Sequence, residues 1–574
     1  MHLDRVAVKN FRHLAEIDIR LQPGTVVVGE NRSGKSNLIH ALRLVLDPTL
    51  PNSERYLRRE DFFDGLSEGR QDWDPMDDLH EIEISVEVSS FEDNPAALAF
   101  LAEALIDGTP MRARLTYRFA PRPVGEGEEP GSAGYEWRIF GGTNEDLSIA
   151  GDMRSTLYFA YLGALRDVAS DIRNWRRSPL RGLLEAAAES ASPEDLEEAA
   201  EAIAQANEKI TSLEPVADLA TQISERTEEM VGKYHALEAE LGIAPLDPLR
   251  LLRDLRIYVD GDARRPLGSA SLGALNVLYL VLLELGLEQE LEGQQVAHIV
   301  TAIEEPEAHL HPHLQRLVFR RLLHEDEPGR STIVTTQSPH IASVASPKSL
   351  VVLRTVEGAT VASVAADADL DDAEWADMER YLDATRAELV FAKRILLVEG
   401  YAEQVLVPEL AKEAFGPLDE LGISVCAIHG THFGSYARFL EALDLQWAVI
   451  TDGDPDSKGS VLGERRAERI LKRLEKEGEP NAAGIFVGEE TFEYDLFKTS
   501  KRNAMVCAET LKGLTGEKTK AAIEEWAASP PDVKEYLRVV SRAGGKGRFA
   551  QRMATRSLDL PEYLGQALRY LLDS

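Results

Sequence analysis

The sequence predicts an α/β protein in two parts: a nucleotide-binding head interrupted by a helical segment, then a second α/β domain. Three features lead there. A glycine-rich phosphate loop stands between a strand and a helix near the start of the chain. A stretch rich in Ala, Glu and Leu, with apolar residues at heptad spacing, follows later. From residue 394 a fresh set of apolar strands begins, and these end in acidic residues.

Taken in order, residues 3–9 and 25–28 are β-branched and apolar and read as strands, and 35–46 reads as a helix. Residues 81–88, 112–118 and 135–140 alternate as strands do, with a Pro/Gly/Glu-rich loop over 121–133. From 167 to 241 the pattern turns helical: Ile203 and Ile210 lie seven apart, as do Ile223, Met230 and Leu237. Pro215 interrupts that run, so at least two helices are expected. The spacing suits a subdomain packing on its own chain and a dimerising arm equally well. Residues 251–260, 296–303, 331–336 and 349–353 read as strands and 273–288 as a helix. Residues 366–390 are acidic and helical, and strands return at 395–398 and 447–451. The expected boundaries are 1–166 and 242–365 for the head, 167–241 for the helical insertion, 366–392 for a linker and 393–574 for the second domain.

At 574 residues the chain exceeds one ordinary core. Its 98 acidic against 63 basic residues give a net charge of −35, which repels a phosphate backbone on average and argues against a DNA-coating protein. A local basic run, Arg542, Lys546, Arg548, Arg552 and Arg556, goes against that trend. No apolar run reads as reaching the roughly 20 residues that span a bilayer, so no membrane partner is expected. The N-terminus reads as a strand start rather than a signal peptide. Two cysteines, Cys426 and Cys507, form no ligand cluster and suit a reducing, cytoplasmic setting.

The phosphate loop runs from Gly29 to Ser36 and fits G-x-x-x-x-G-K-[ST]. Its backbone N–H groups can wrap phosphates, Lys35 can reach the outer phosphates, and Ser36 can hold Mg²⁺. The expected ATP contacts here are Gly29, Asn31, Gly34, Lys35, Ser36 and Asn37. A second element is the apolar strand ending in Glu304 and Glu305. Glu304 is expected on the metal side and Glu305 as the group that activates water.

Together these residues resemble the ABC-type ATPases of the structural-maintenance and recombination-repair kind. Ser271-Leu-Gly273 resembles their signature loop, which the resemblance places against ATP across a head-to-head dimer. Residues 308–312 resemble the segment after the second carboxylate, and 335–340 the switch loop. Gln337 stands where that family has histidine. A glutamine can hydrogen-bond a γ-phosphate but carries no positive charge, so slow hydrolysis is expected. The neighbourhood of residues 59–63 is taken for the family's glutamine loop. His309, His311 and His313 invite a zinc reading, but Pro312 breaks the run and no cysteine lies near, so a loop close to the nucleotide is expected instead.

In the second domain, Glu399 follows one apolar strand, and Asp452-Gly-Asp454 follows another. Acids at the ends of neighbouring parallel strands gather charge that suits hard cations such as Mg²⁺ or Mn²⁺. A solvated turn is the plain alternative for Asp452–Asp454, since Asp and Gly favour turns. Asp456 and Asp495 read as surface acids, and Gly430 and Gly434, around His429 and His432, as a turn near the site.

This arrangement resembles a Toprim domain, and more closely the C-terminal half of the OLD (overcoming lysogenisation defect) nucleases. The supporting residues are Glu399, Glu403, Asp452, Asp454, Glu493 and the run Gly-Lys-Gly-Arg-Phe-Ala that contains Lys546. The resemblance implies an ABC-type ATPase head with an inserted helical dimerisation region, followed by a C-terminal Toprim domain. It implies two metals held by Glu399, Glu403, Asp452, Asp454 and Glu493, with Lys546 assisting cleavage of DNA. The compact layout resembles members encoded beside a UvrD-type helicase, including the nuclease subunit of Gabija antiphage defence. A homodimer and a helicase partner are thereby expected. A second class remains open, an ATP-driven clamp on DNA with a non-cutting Toprim; the full set of acids favours cutting. A primase-like polymerase lacks a recognisable zinc or primer-handling module.

Overall fold

In the computed structural model, the described residues are 1–573 apart from 71, 107–108, 124–133, 147, 150–155, 165–167, 174–177, 234–240, 242–254, 256, 260–263, 293–295, 325–328, 383–386, 456–460 and 527–528. Most of the expected loop 121–133, Leu237, Asp456 and most of the strand expected at 251–260 therefore lie outside the described residues. The chain divides into two compact units. One comprises Met1–Ala164, Ala297–Glu307 and His311–Ser574, and the other Leu165–Val296 with Ala308–Leu310.

The first unit holds three sheets. An antiparallel sheet runs in the order Leu14–Arg20, His2–Phe11, Ile82–Ser89, Arg112–Pro121, Leu105–Ile106, with Tyr135–Gly141 also paired to Arg112–Pro121. A second sheet runs Ala359–Val364, Leu350–Val356, Thr25–Gly29, Arg330–Thr336, His298–Glu304, Leu157–Leu162, parallel except for its first strand. Thr25–Gly29 and His298–Glu304 are buried along their whole length, as strands inside a covered parallel sheet must be. The helix Lys35–Leu46 buries eight residues on several of its faces. Its Leu38, Ile39, Leu42 and Val45 share one core with Val6, Val86 and Leu115 of the antiparallel sheet and with Val27 and Val300 of the parallel one. That packing fixes the start of the helix directly behind the phosphate loop.

The third sheet is parallel throughout, in the order Ile423–Ala427, Arg394–Val398, Gln446–Thr451, Ile485–Val487. Helices Tyr401–Ala411, Lys501–Leu514, Lys546–Met553 and Glu562–Asp573 cover it and share its apolar core. Both cysteines are buried in this part, Cys426 on a strand and Cys507 on the helix Lys501–Leu514. Between the second and third sheets lies the helix Asp372–Tyr381, begun by a capping box of Asp371 and Glu374. Glu374 pairs with Arg473 and accepts from Ser435, and Arg354 donates to the Leu443 carbonyl at 2.7 Å.

The second unit is mainly helical. Helices Leu180–Ser190, Pro193–Thr211 and Glu214–Val231 follow one another. Pro215 sits in the first turn of the last, where its missing N–H costs nothing. Ile210, Leu219, Ile223 and Met230 are exposed. The helix Leu272–Glu292 is apolar but interrupted by Asn276 and Glu284. It has 21 residues and a mean hydropathy of 1.4 over its most apolar window, enough by length and composition alone to cross a bilayer. Its Leu275 and Leu282 pack with Val168, Ile172 and Leu267 in the core of this unit.

Candidate nucleotide site and metal centre

Parallel strands deliver their C-terminal ends to one edge, and both sets of candidate residues sit at such edges. In the second sheet, Gly29, Glu304 and Thr336 close neighbouring strands. Gly34 has φ +96°, and a Cβ there would lie 2.7 Å from Thr360 Oγ1, so glycine is required on two counts. Lys35 is buried and folds back, donating from Nζ to the carbonyls of Gly29 at 2.8 Å and Glu30 at 2.9 Å. Burial lowers its pKa, against the pull of Glu305 and Glu307.

Ser36 Oγ donates to Glu304 Oε2 at 3.4 Å. Burial holds the Glu304 carboxyl above its usual range, although the Ser36 hydrogen bond opposes this. Gln337 Nε2 donates to Glu305 Oε1 at 2.6 Å and to Asn31 Oδ1 at 2.8 Å. Gln337, Glu305 and the phosphate loop are therefore one hydrogen-bonded group. Asn37 contacts His13 at 3.3 Å and accepts from Arg12, whose Nε also donates to Asp61 at 2.9 Å. Residues 59–63 thus reach the loop region through Arg12.

Glu307 was not anticipated from sequence. It accepts from the Gln337 backbone N–H at 2.7 Å and from Thr336 at 2.9 Å, and so fixes the end of the strand Arg330–Thr336. Ser271 and Gly273 belong to the second unit. There Ser271 Oγ accepts from Ala274 N–H at 3.3 Å, and a Cβ on Gly273 would lie 2.7 Å from the His309 carbonyl.

In the third sheet, Glu399 and Asp452 follow adjacent strands and meet at the edge. Glu399 Oε1 accepts from Thr451 Oγ1 at 2.5 Å and from Asp452 N–H at 3.0 Å. Asp452 Oδ1 accepts from Phe492 N–H at 2.8 Å, which brings the helix carrying Glu493 alongside. Gly453 cannot bear a side chain, since its Cβ would lie 2.4 Å from the Glu489 carbonyl. The Asp-Gly-Asp turn is thus packed closely onto the backbone of residues 488–489. Lys546 opens its helix after Gly544 and Gly545, whose φ values of +103° and +89° turn the chain toward the site. Its Nζ lies 2.8 Å from Glu493 Oε2 and 4.0 Å from Asp452 Oδ2.

Glu403, Asp452 and Glu493 are all buried. Burial, reinforced by neighbouring carboxylates, pushes Asp452 up to about 8 and Glu403 up to about 7. Glu493 Oε1 is buried with no hydrogen-bond partner, while Oε2 faces Lys546. The all-oxygen donor set and the unpartnered Glu493 Oε1 fit a hard divalent cation. Among the described residues no three His, Cys, Asp or Glu side chains converge as a ready-made ligand cage.

Sequence reading missed Arg466, which pairs with Asp454 Oδ2 at 2.9 Å and Glu399 Oε1 at 3.4 Å. An arginine in a charge-rich helix gave no signal for this. Asp495 is corrected from surface acid to buried turn anchor, accepting from Glu489 and Glu490 N–H at 3.0 Å each. His429 has φ +53°, and Gly430 N–H donates to the Glu399 carbonyl, so this turn lies beside the acids.

Comparison with known proteins agrees with this layout. Residues 390–454 match the family model "Overcoming lysogenization defect protein-like, TOPRIM domain", and residues 1–99 and 158–342 match an AAA ATPase domain. The crystallised C-terminal region of the Xanthomonas campestris OLD protein is 33% identical, covering 32% of this chain and 96% of that one, with a TM-score of 0.29. An OLD nuclease of Thermus scotoductus is 27% identical over 490 residues, 83% of this chain and 85% of the relative. The chain belongs to the OLD family. Its fold is accordingly an ATPase head followed by an OLD-type Toprim region. Another relative, the endonuclease GajA of Bacillus cereus, is 21% identical over 491 residues, 82% of this chain and 79% of the relative. OLD-family membership brings a general use of ATP and of divalent metal.

Proposed function

We propose that this OLD-family chain is an ATP-binding, divalent-metal-dependent DNA endonuclease that nicks or cuts by a two-metal Toprim mechanism under the control of its ATPase head. The observation that carries this reading is the edge where Glu399, Asp452, buried Glu493 and Lys546 come together, with Glu493 Oε2 paired to Lys546 and its Oε1 unpartnered. Glu399, Glu403, Asp452, Asp454 and Glu493 would hold Mg²⁺ or Mn²⁺. Two such ions, when bound, stabilise the attacking and leaving oxygens of phosphodiester cleavage. The chain supplies the rest. Asp452 and Glu399 are oriented by backbone N–H groups from the turn and the next element. Lys546 stands where it can donate to charge developing on the scissile phosphate.

In the head, Gly29, Asn31, Gly34, Lys35, Ser36 and Asn37 bind ATP, Glu304 takes the Mg²⁺ side, and Glu305 activates water. Gln337, hydrogen-bonded to Glu305, senses the γ-phosphate without a charge, so turnover is slow. Ser271 and Gly273 complete the nucleotide site of a second copy, with 167–241 as the helical insertion of a homodimer. The family likeness supports a role in antiphage defence with a UvrD-type helicase as partner.

The test is plasmid nicking in Mg²⁺ and in Mn²⁺ by Asp452→Ala and Glu305→Gln, side by side. Asp452→Ala should lose cutting almost completely, and Glu305→Gln should lose ATP hydrolysis yet still nick. If Asp452→Ala cuts like the parent, the Toprim site does not cut, and the ATP-driven clamp becomes the reading.

A further inference from the structure

We propose that Arg466 is a resident cation of the acidic edge, a positioning residue that competes with divalent metal for Glu399 and Asp454. The inference rests on the metal-site reading above and concerns what stands among those acids beforehand. Glu399, Asp452, Asp454 and Glu493 line this edge, and bringing such charges near one another without compensation would be costly. Lys546 answers Glu493 and Asp452. The other side is answered by Arg466, whose side chain is only 14% exposed. Its guanidinium pairs with Asp454 at 2.9 Å and Glu399 at 3.4 Å and also donates to the Asp452 carbonyl.

The fold builds this placement deliberately. Arg466 lies in the first turns of the helix Leu462–Arg473. One turn before it, Gly463 presses onto the acid-bearing turn, since a Cβ there would lie 2.3 Å from the Asp452 carbonyl and 2.6 Å from Val487. No side chain but hydrogen lets the helix approach so closely, and that approach aims Arg466 between the two strand ends. At the far end of the same helix Arg473 is held by Glu374. The helix is thus pinned at both ends, and the guanidinium is held rather than free to sample solvent.

The fork of a guanidinium matches two separated carboxylates, and Arg466 spends it on the two acids at the strand ends. Its Nε is buried with no partner, so beyond the Asp452 carbonyl the side chain gains little from the rest of its surroundings. The carboxylates are what hold it. A divalent ion bound to the same two acids carries twice the charge in a smaller volume and repels the guanidinium. The two occupants are therefore mutually exclusive in energy. Arg466 holds the ligands apart and in place before metal arrives, and it weakens metal binding by the cost of releasing it. A role in which Arg466 merely pre-organises ligands makes the opposite prediction, because removing it would then weaken metal binding.

The experiment is calorimetric titration of the full chain with Mn²⁺ in nucleotide-free buffer, paired with thermal unfolding with and without Mn²⁺. Arg466→Gln should lower the metal-free Tm, bind Mn²⁺ about tenfold more tightly or better, and show a larger Mn²⁺-induced rise in Tm. Unchanged or weaker Mn²⁺ affinity in Arg466→Gln overturns the proposal. Should that variant fail to fold without metal, Arg466→Lys replaces it. A single ammonium cannot span both acids, so Mn²⁺ should bind about threefold more tightly than to the parent, and parental affinity overturns the proposal. Asp452→Ala separates the two layers. If the parent binds Mn²⁺ no better than Asp452→Ala, the metal-site reading fails and this inference falls with it. If binding depends on Asp452 yet ignores Arg466, this inference alone is lost.

Discussion

At the scale of single residues, charge placement decides most outcomes. Lys35 rests on the carbonyls of Gly29 and Glu30, so its ammonium is already desolvated and aimed along the loop. Phosphate oxygens would replace those carbonyls at little cost in reorganisation. Lys35→Ala should weaken ATP binding by about a hundredfold, the worth of a strong charge-assisted contact. Calorimetry checks it, and parental ATP affinity would remove Lys35 from the nucleotide site. A second residue-scale effect comes from His298, wholly buried beside Ser331 at 2.9 Å with its Nδ1 unpartnered. Burial pushes its pKa down to about 3, so the folded protein keeps it neutral. The unfolded chain protonates near pH 6.5. Stability from this group is therefore complete above about pH 6.5 and is lost progressively as pH falls toward 3. His298→Asn should flatten the acid limb of a Tm-versus-pH curve over that window, and an unaltered slope would contradict the assignment.

At the scale of elements, turns carry the chemistry. Gly453 lies under the carbonyls of Gly488 and Glu489, at 2.5 and 2.4 Å from a would-be Cβ. Both are backbone atoms that cannot swing aside. Gly453→Ala should cost about 1–3 kcal/mol of stability and reduce Mn²⁺ binding, because Asp452 and Asp454 sit on either side of the displaced turn. Urea unfolding and metal titration read the two effects separately, and an unperturbed variant would mean that the turn has slack. This element also shows what is legible in sequence. The phosphate loop, the strand ending in Glu304 and Glu305, and Glu399 with Asp452 and Asp454 are local signals, each a strand followed at once by its functional residue. Glu493 and Lys546 were reachable only through the family likeness, since neither stands in a pattern of its own. Arg466 and Glu307 were not reachable at all. Their roles arise from contacts between elements distant in sequence, such as Glu307 with Gln337. The strands Leu14–Arg20 and Ala359–Val364 were missed for a related reason, being edge strands whose alternation is short and partly polar. Asp495 shows the reverse error: an ordinary-looking acid is buried because two backbone N–H groups satisfy it.

At the scale of the whole molecule, the expected state is a dimer. On the proposed reading, Ser271 and Gly273 have a use only if another copy supplies the nucleotide. The exposed Ile210, Leu213, Leu219, Ile223 and Met230 also leave apolar surface on the helical segment. Light scattering with and without ATP should give twice the 63.4 kDa chain mass, and a monomer under both conditions would remove this reading. The joined core of the last sheet carries a different consequence. Cys507 is fully enclosed in it, and burial pushes its thiol up to about 12. A thiol that is neither ionised nor reachable does not react with alkylating reagents until the surrounding wall opens. The chain thus contains its own clock for that wall. The rate at which iodoacetamide labels Cys507 in native buffer times each excursion of the nuclease half, and binding of a divalent ion at the acidic edge should slow the clock by holding the strands shut.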